Sequence, residues 1–279
     1  MDEVQADFAL NLLKAATRSS ESAVISPFSA ALALTMTYVG AVGQTDEEFV
    51  DYISTLFADV NSAEKGVTLD AANRLYVEEN FILEEAFLKI IASHFAGQLQ
   101  QVHFMYKEVV VHTRDKIKNL VCVENIHDDT RLMLINAVYF KGTWKEQFRK
   151  ELTRMKPFYI SENNQKEVDM MAMKEKFSYY EDDDVQVLGM PYVGGQTQMH
   201  IILPQRRFGL ADFEQNLTGK KLLSYVQRSC VTEVEVELPR FKLENRLELV
   251  KALQKLGMKE AFTDFATFDG ISEQPLKIS

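Results

Sequence analysis

A chain of 279 residues has the length at which one hydrophobic core stops growing, so it suits one large domain or two ordinary ones. Hydrophobic residues at 46% and charged residues at 26% match globular usage and exclude bulk disorder. A formal charge of −10 repels phosphate backbones and anionic lipid, so nucleic acid and bare membrane surfaces are poor partners.

The opening Met1-Asp2-Glu3 has the wrong charge for a secretory leader, and the expected location is intracellular, with an extracellular one as the alternative. Residues 4–17 place Phe8, Leu12 and Ala15 on one side, with Ala9, Leu13 and Ala16 beside them, which is the spacing of an amphipathic helix. Ser26-Pro27 then offers an N-cap hydroxyl followed by proline at the first helical position, and an apolar helix is expected to run to Gly40. Thr45 and Glu48 form a capping box that predicts a third helix through Phe57. The apolar stretch at residues 30–42 is too short to span a bilayer and reads as a core helix.

Residues 67–77 have extended character, and residues 84–95 return to helical spacing through Phe87, Ile90, Ile91 and Phe95. From Leu132 to Phe140 nearly every residue is apolar, which requires a strand covered on both faces and points to the middle of a sheet. The second half is strand-rich. Residues 185–190 and 199–203 flank Gly194-Gly195, a hairpin signal. Val234, Val236 and Leu238 alternate with Glu233, Glu235 and Glu237, and beyond Pro239 the apolar phase passes to Phe241 and Leu243, as at a bulge or bend. Asn245 is positioned to cap a helix that Gly257 stops. Helices early and strands late, without regular alternation, argue for an α+β fold.

Catalytic and ligand-binding signatures are lacking. The five histidines form no zinc-binding spacing, and the chain has no phosphate loop and no nucleophile elbow. The sequence therefore predicts a protein that is not an enzyme and needs no metal or other cofactor. Cys122 and Cys230 are far apart and read as reduced, partly buried thiols. Glu181-Asp182-Asp183-Asp184 reads as a solvated turn, and Arg206-Arg207 as surface residues. Asn216-Leu217-Thr218 is a glycosylation sequon, which has no expected acceptor role without export.

Four segments in this order resemble the serpins, a family of serine-protease inhibitors: Ile25-Ser26-Pro27-Phe28-Ser29; Ala72-Asn73-Arg74-Leu75-Tyr76; Leu134-Ile135-Asn136-Ala137-Val138-Tyr139-Phe140-Lys141-Gly142-Thr143-Trp144; and Leu238-Pro239-Arg240-Phe241-Lys242-Leu243. With Leu188-Gly189-Met190-Pro191-Tyr192 and residues 256–268 they run almost the whole length of the chain. The resemblance implies a single serpin-like domain over residues 1–279, with helices around three mainly antiparallel or mixed β-sheets and residues 134–139 as a central strand of the largest. It implies that Ser26, Ser29 and Asn136 form a hydrogen-bond group beneath that sheet, where strands part, and that Trp144 lies near the upper end of the opening. It also implies inhibition by a reactive loop that a protease cleaves and that then inserts as an extra strand, so the implied partner is a serine or cysteine protease.

Two departures from the family stand out. The residues matched by Gly270-Ile271-Ser272 lead in serpins into another strand of the large sheet and then the reactive loop. Here the sequence stops at Ser279, so the fold is expected to lack its C-terminal strands, and the scissile residue is not in the chain. Residues 58–66 and 105–115 are each shorter than the family's helix-bearing segments. A non-inhibitory or inactive serpin-like protein is the alternative expectation.

Overall fold

A computed structural model describes residues 3–17, 22–41, 50–52, 55, 66–95, 99–104, 126, 130–243 and 247–278, apart from the side chains of 69–73, 136 and 137. Packing divides the chain into two compact units: residues 1–25, 64–67 and 141–247 form one, and residues 26–63, 68–140 and 248–279 form the other.

In the first unit, α1 (Glu3–Ala16) and α5 (Gly219–Arg228) pack together, preceded by the short α4 (Leu210–Asn216). The amphipathic spacing read from the sequence buries Ala6 and Leu12 of α1. Two polar side chains of α1 hold the α4–α5 turn. The Asp7 carboxylate accepts from Gly219 N–H at 2.6 Å, and Lys14 Nζ donates to the Leu217 carbonyl at 2.8 Å. Thr218 adds a second cap to α5, its hydroxyl accepting from Lys221 N–H at 3.2 Å. Helix-end groups that would otherwise lack partners are thereby satisfied from a distant part of the chain.

The same unit holds β4 (Arg154–Ser161), β5 (Asn164–Glu181), β6 (Val185–Pro191), β7 (Gln198–Pro204) and β8 (Cys230–Pro239). All pairings are antiparallel. β5 is the spine of one five-stranded sheet: residues 164–170 pair with β4, residues 170–179 with β8, and residues 178–181 with β6, which pairs with β7. Edge strand β4 carries Pro157, which has no N–H to give, and nearly all its side chains are exposed.

The acidic run is a built turn. Asp182 Oδ1 accepts from the N–H groups of Asp184 and Val185 at 2.9 and 3.0 Å, and its Oδ2 accepts from the Tyr180 hydroxyl at 2.7 Å. Although desolvation opposes the shift, these donors and Arg228 hold the Asp182 carboxyl below its ordinary range. Tyr179, desolvated and bonded to Glu181, is pushed up to about 12.

In the second unit, α2 (Pro27–Ala41), α3 (Glu85–His94) and α6 (Leu249–Lys255) accompany a three-stranded sheet ordered β2-β1-β3. Its strands are β1 (Val67–Glu78), β2 (Leu99–Val102) and β3 (Leu132–Gly142), and β1 runs parallel to β2. Successive residues of β3 enter two cores. Leu132 and Leu134 pack with Leu75, Val77 and the helices, while Met133 and Ile135 pack with Tyr76, Phe104 and Ile126. That double cover holds for residues 132–135 of the apolar run, whereas Phe140 at its far end is exposed. The position of β3 within the sheet is different from the expectation: among the described residues β1 is central and β3 is the edge. A two-faced apolar strand reports the layers above and below it, and says nothing about neighbours in the plane of the sheet.

Two further expectations are corrected. After Pro239 the strand does not continue: Arg240 N–H donates to the Asp169 carbonyl at 2.8 Å, and Phe241 and Leu243 are exposed. Cys230 is exposed rather than partly buried, because the first four residues of β8 are uncovered. The end of α6 is as read, with Gly257 at φ 107°, Gly257 N–H on the Gln254 carbonyl and Met258 N–H on the Leu253 carbonyl, which is a Schellman cap. Cys122, Asn245, the Thr45–Glu48 capping box and the segment 105–115 lie outside the described residues, although residues 50–52 are helical.

His200 on β7 is half-buried, and its Nδ1 is buried without a hydrogen-bond partner. Burial lowers its pKa. The unfolded chain takes up this proton near pH 6.5 and the folded chain only at lower pH, so the linked stability is complete above about pH 6.5 and is lost as pH falls from there through the folded value. Urea midpoints measured from pH 8 to pH 5 are expected to show this loss, and His200→Phe to flatten it. An unchanged slope in the variant would exclude His200 as its source.

Candidate functional site

The site is built from the start of α2 and the open side of β3. Ser26 is the N-cap of α2: its hydroxyl accepts from Ser29 N–H at 3.3 Å, and its carbonyl accepts from Ala30 N–H at 3.0 Å. Pro27 takes the first helical position, where a missing N–H costs nothing. Ser29 is fully buried on the same turn. Asn136 lies within β3, and its side chain is outside the described residues. The structure therefore brings Ser26 and Ser29 together by one helical turn.

Beside β3, the last described residues make one isolated bridge. Leu132 and Ile278 form a parallel bridge, Ile278 N–H donates to the Ala261 carbonyl at 2.9 Å, and Leu276 and Ile278 enter the same core as Leu132 and Ile271. Beyond that bridge, residues 134–140 of β3 have no strand on their second side among the described residues. An open strand edge offers alternating N–H and C=O groups in register for a further strand. The sequence did not single out Ile278, whose place beside Leu132 comes from a pairing 146 residues apart.

Trp144 follows β3 in the first unit. It bridges Tyr192 in antiparallel fashion and stacks on its ring with centroids 4.5 Å apart and planes 10° apart. Lys145 N–H donates to the Pro191 carbonyl at 3.0 Å, and Val193 N–H to the Thr143 carbonyl at 2.8 Å, fixing both rings. The Tyr192 ring lies where a side chain on residue 142 would stand: a Cβ at Gly142 would approach Tyr192 Cδ1 to 2.4 Å. Burial raises the Tyr192 phenol's pKa. Tyr192 is the partner of Trp144 that sequence reading did not assign; the signal for it was Gly142 directly before the Thr143-Trp144 pair.

Among the described residues no group of three or more His, Cys, Asp or Glu side chains has an arrangement that could hold a metal ion. No described helix is long and apolar enough to cross a membrane.

Comparison with known proteins agrees in family and in fold. The family model described as "Serpin (serine protease inhibitor)" matches residues 3–279. The chain is 33% identical to Serpin B6 of Macaca fascicularis over 308 aligned residues, covering 99% of this chain and 82% of that protein. It is 32% identical to intracellular coagulation inhibitor 2 of Tachypleus tridentatus, covering 95% of this chain and 72% of the relative. The native structure of the thermophilic serpin tengpin superposes with a TM-score of 0.89 at 27% identity, covering all of this chain and 79% of tengpin. With a full-length family match, a relative above 30% identity and an α+β fold shared with solved serpins, this chain belongs to the serpin family.

Proposed function

We propose that this chain forms the body of a serpin-type inhibitor of serine or cysteine proteases, a single serpin-like domain that works by taking a strand into its sheet at β3. The observation that carries the reading is β3, covered on both faces at residues 132–135, bridged at Leu132 to Ile278 and, among the described residues, without a strand on that side beyond the bridge. The protease attacks a bait loop and is held as an acyl-enzyme, and the freed loop pairs along an open strand. The gain is a row of backbone hydrogen bonds plus buried side chains, and it drives the conformational change that distorts the attached enzyme. In this reading Ser26, Ser29 and Asn136 hold the sheet where it parts, and Trp144 supports the upper end of the opening. An intracellular site of action goes with it, supported by the name of the Tachypleus relative.

The test expresses the longest reading frame that contains these 279 residues and mixes it with trypsin-like, chymotrypsin-like and papain-like proteases. The expected result is a one-to-one complex that survives denaturant. No such complex with any of them would overturn inhibition. It would favour a non-inhibitory serpin-like protein. Recovery from the culture medium rather than the lysate would overturn the intracellular reading.

A further inference from the structure

The turn between β7 and α4 holds an outlier. Phe208 has φ 60°, the only positive φ at a non-glycine residue among those described. Gly209 N–H donates to the Arg206 carbonyl at 2.9 Å, so residues 206–209 form a β-turn with Phe208 at the third position. With Arg207 at negative φ, this is the type II pattern, whose third position ordinarily holds glycine or asparagine. A bulky side chain there costs free energy through the clash of its Cβ with the backbone. Core packing does not explain the choice, because the Phe208 side chain is 42% exposed.

What the strained turn achieves is a contact. The Arg207 guanidinium lies 4.4 Å from the centroid of the Tyr159 ring, on β4, and 5.3 Å from that of Phe208. Tyr159 is also about half exposed. Arg207 makes no hydrogen bond or ion pair with any described residue, whereas its neighbour Arg206 is engaged by Asp212 at 2.9 Å. Two aromatic rings therefore hold the guanidinium by cation–π attraction while its N–H groups stay open to solvent. A guanidinium held in place loses little entropy on binding, and its planar fork matches a carboxylate in bidentate fashion. Tyr, Arg and Phe are also side-chain types enriched at the centres of protein interfaces.

We propose that Tyr159, Arg207 and Phe208 form a docking point for an acidic peptide segment of a protein partner, with a partner carboxylate on the Arg207 fork and an adjacent apolar side chain against the rings. The chain as a whole is acidic, with a formal charge of −10, so recognition comes from this local contact and not from long-range steering. The site is independent of the strand-accepting edge, and it requires no bait loop.

The test titrates the protein with a fluorescein-labelled hexapeptide of alternating glutamate and leucine and reads anisotropy, using the lysine–leucine counterpart as control. The glutamate peptide is expected to bind at least tenfold more tightly than the control. Arg207→Ala is expected to weaken it at least fivefold, and Arg207→Lys nearly as much, because an ammonium keeps the charge and loses the fork. Phe208→Gly is expected to raise the thermal midpoint while weakening the peptide about threefold, which separates a side chain kept for binding from one kept for folding. Equal binding of the two peptides, or undiminished binding by Arg207→Ala, would overturn the proposal. A Phe208→Gly variant with a lower midpoint would overturn it as well, since Phe208 would then serve the fold.

Discussion

Replacing Gly40 with alanine is expected to lower the stability of the second unit by about 2 kcal/mol, although alanine is the better helix former by about 1 kcal/mol. Gly40 lies in the last turn of α2, against the segment that follows α6. A Cβ there would stand 1.9 Å from Ile271 Cγ1 and 2.5 Å from its Cδ1. Ile271 cannot easily retreat: it is fully buried, its N–H donates to the Phe268 carbonyl at 2.8 Å, and its carbonyl accepts from Glu84 N–H at 2.9 Å. Gly270 N–H also donates to the Gly40 carbonyl at 2.9 Å, satisfying a helix-end acceptor at a distance that only two glycines allow, since a Cβ on Gly270 would meet that carbonyl oxygen at 2.7 Å. Urea denaturation measures the loss. Pairing Gly40→Ala with Ile271→Ala is expected to recover part of it, with a coupling of about 1 kcal/mol or more. A Gly40→Ala midpoint at or above that of the unsubstituted chain would contradict the close approach.

Tyr192→Ala is the second large effect, expected at about 3 kcal/mol through loss of a buried aromatic side chain and of its stack on Trp144. Tyr192 is only 6% exposed, and with no side chain on Gly142 the ring is filling space that no other group can take. Because Trp144 is the only tryptophan in the chain, intrinsic fluorescence reports on this one place. The variant is expected to show a red-shifted emission in native buffer, as the indole loses its covering ring, together with a lower denaturation midpoint. Tyr192→Phe keeps the ring and is expected to keep the emission maximum. An unshifted spectrum in Tyr192→Ala would show that the indole is covered by something else.

The candidate site was partly legible before any coordinates. Ser26-Pro27 announces a helix start because an N-cap hydroxyl and a first-turn proline act within four residues, and the structure shows the Ser26 hydroxyl bonded to Ser29 N–H. The cover on both faces of β3 was legible for a similar reason: hydrophobic residues at odd and even positions alike admit no solvated face. The pairing of β3 beside β1 and the bridge from Leu132 to Ile278 were not, because hydrogen-bonding neighbours within a sheet are chosen by pairing across long stretches of chain. Tyr192 was hidden likewise, since its role depends on Gly142, fifty residues earlier.

The sequence by itself determined the extents of α1 and α2, the Gly257 stop of α6 and the family, since each of these is written in residue types at short spacing or in ordered motifs; α4 and α5 were not read from it. The tertiary structure alone decided the exposed ends of the alternation after Pro239, the Gly40–Gly270 approach, the Trp144–Tyr192 stack and the clamp on Arg207. All four depend on what a residue meets from a distant segment, and side-chain periodicity records how a residue faces, not what faces it.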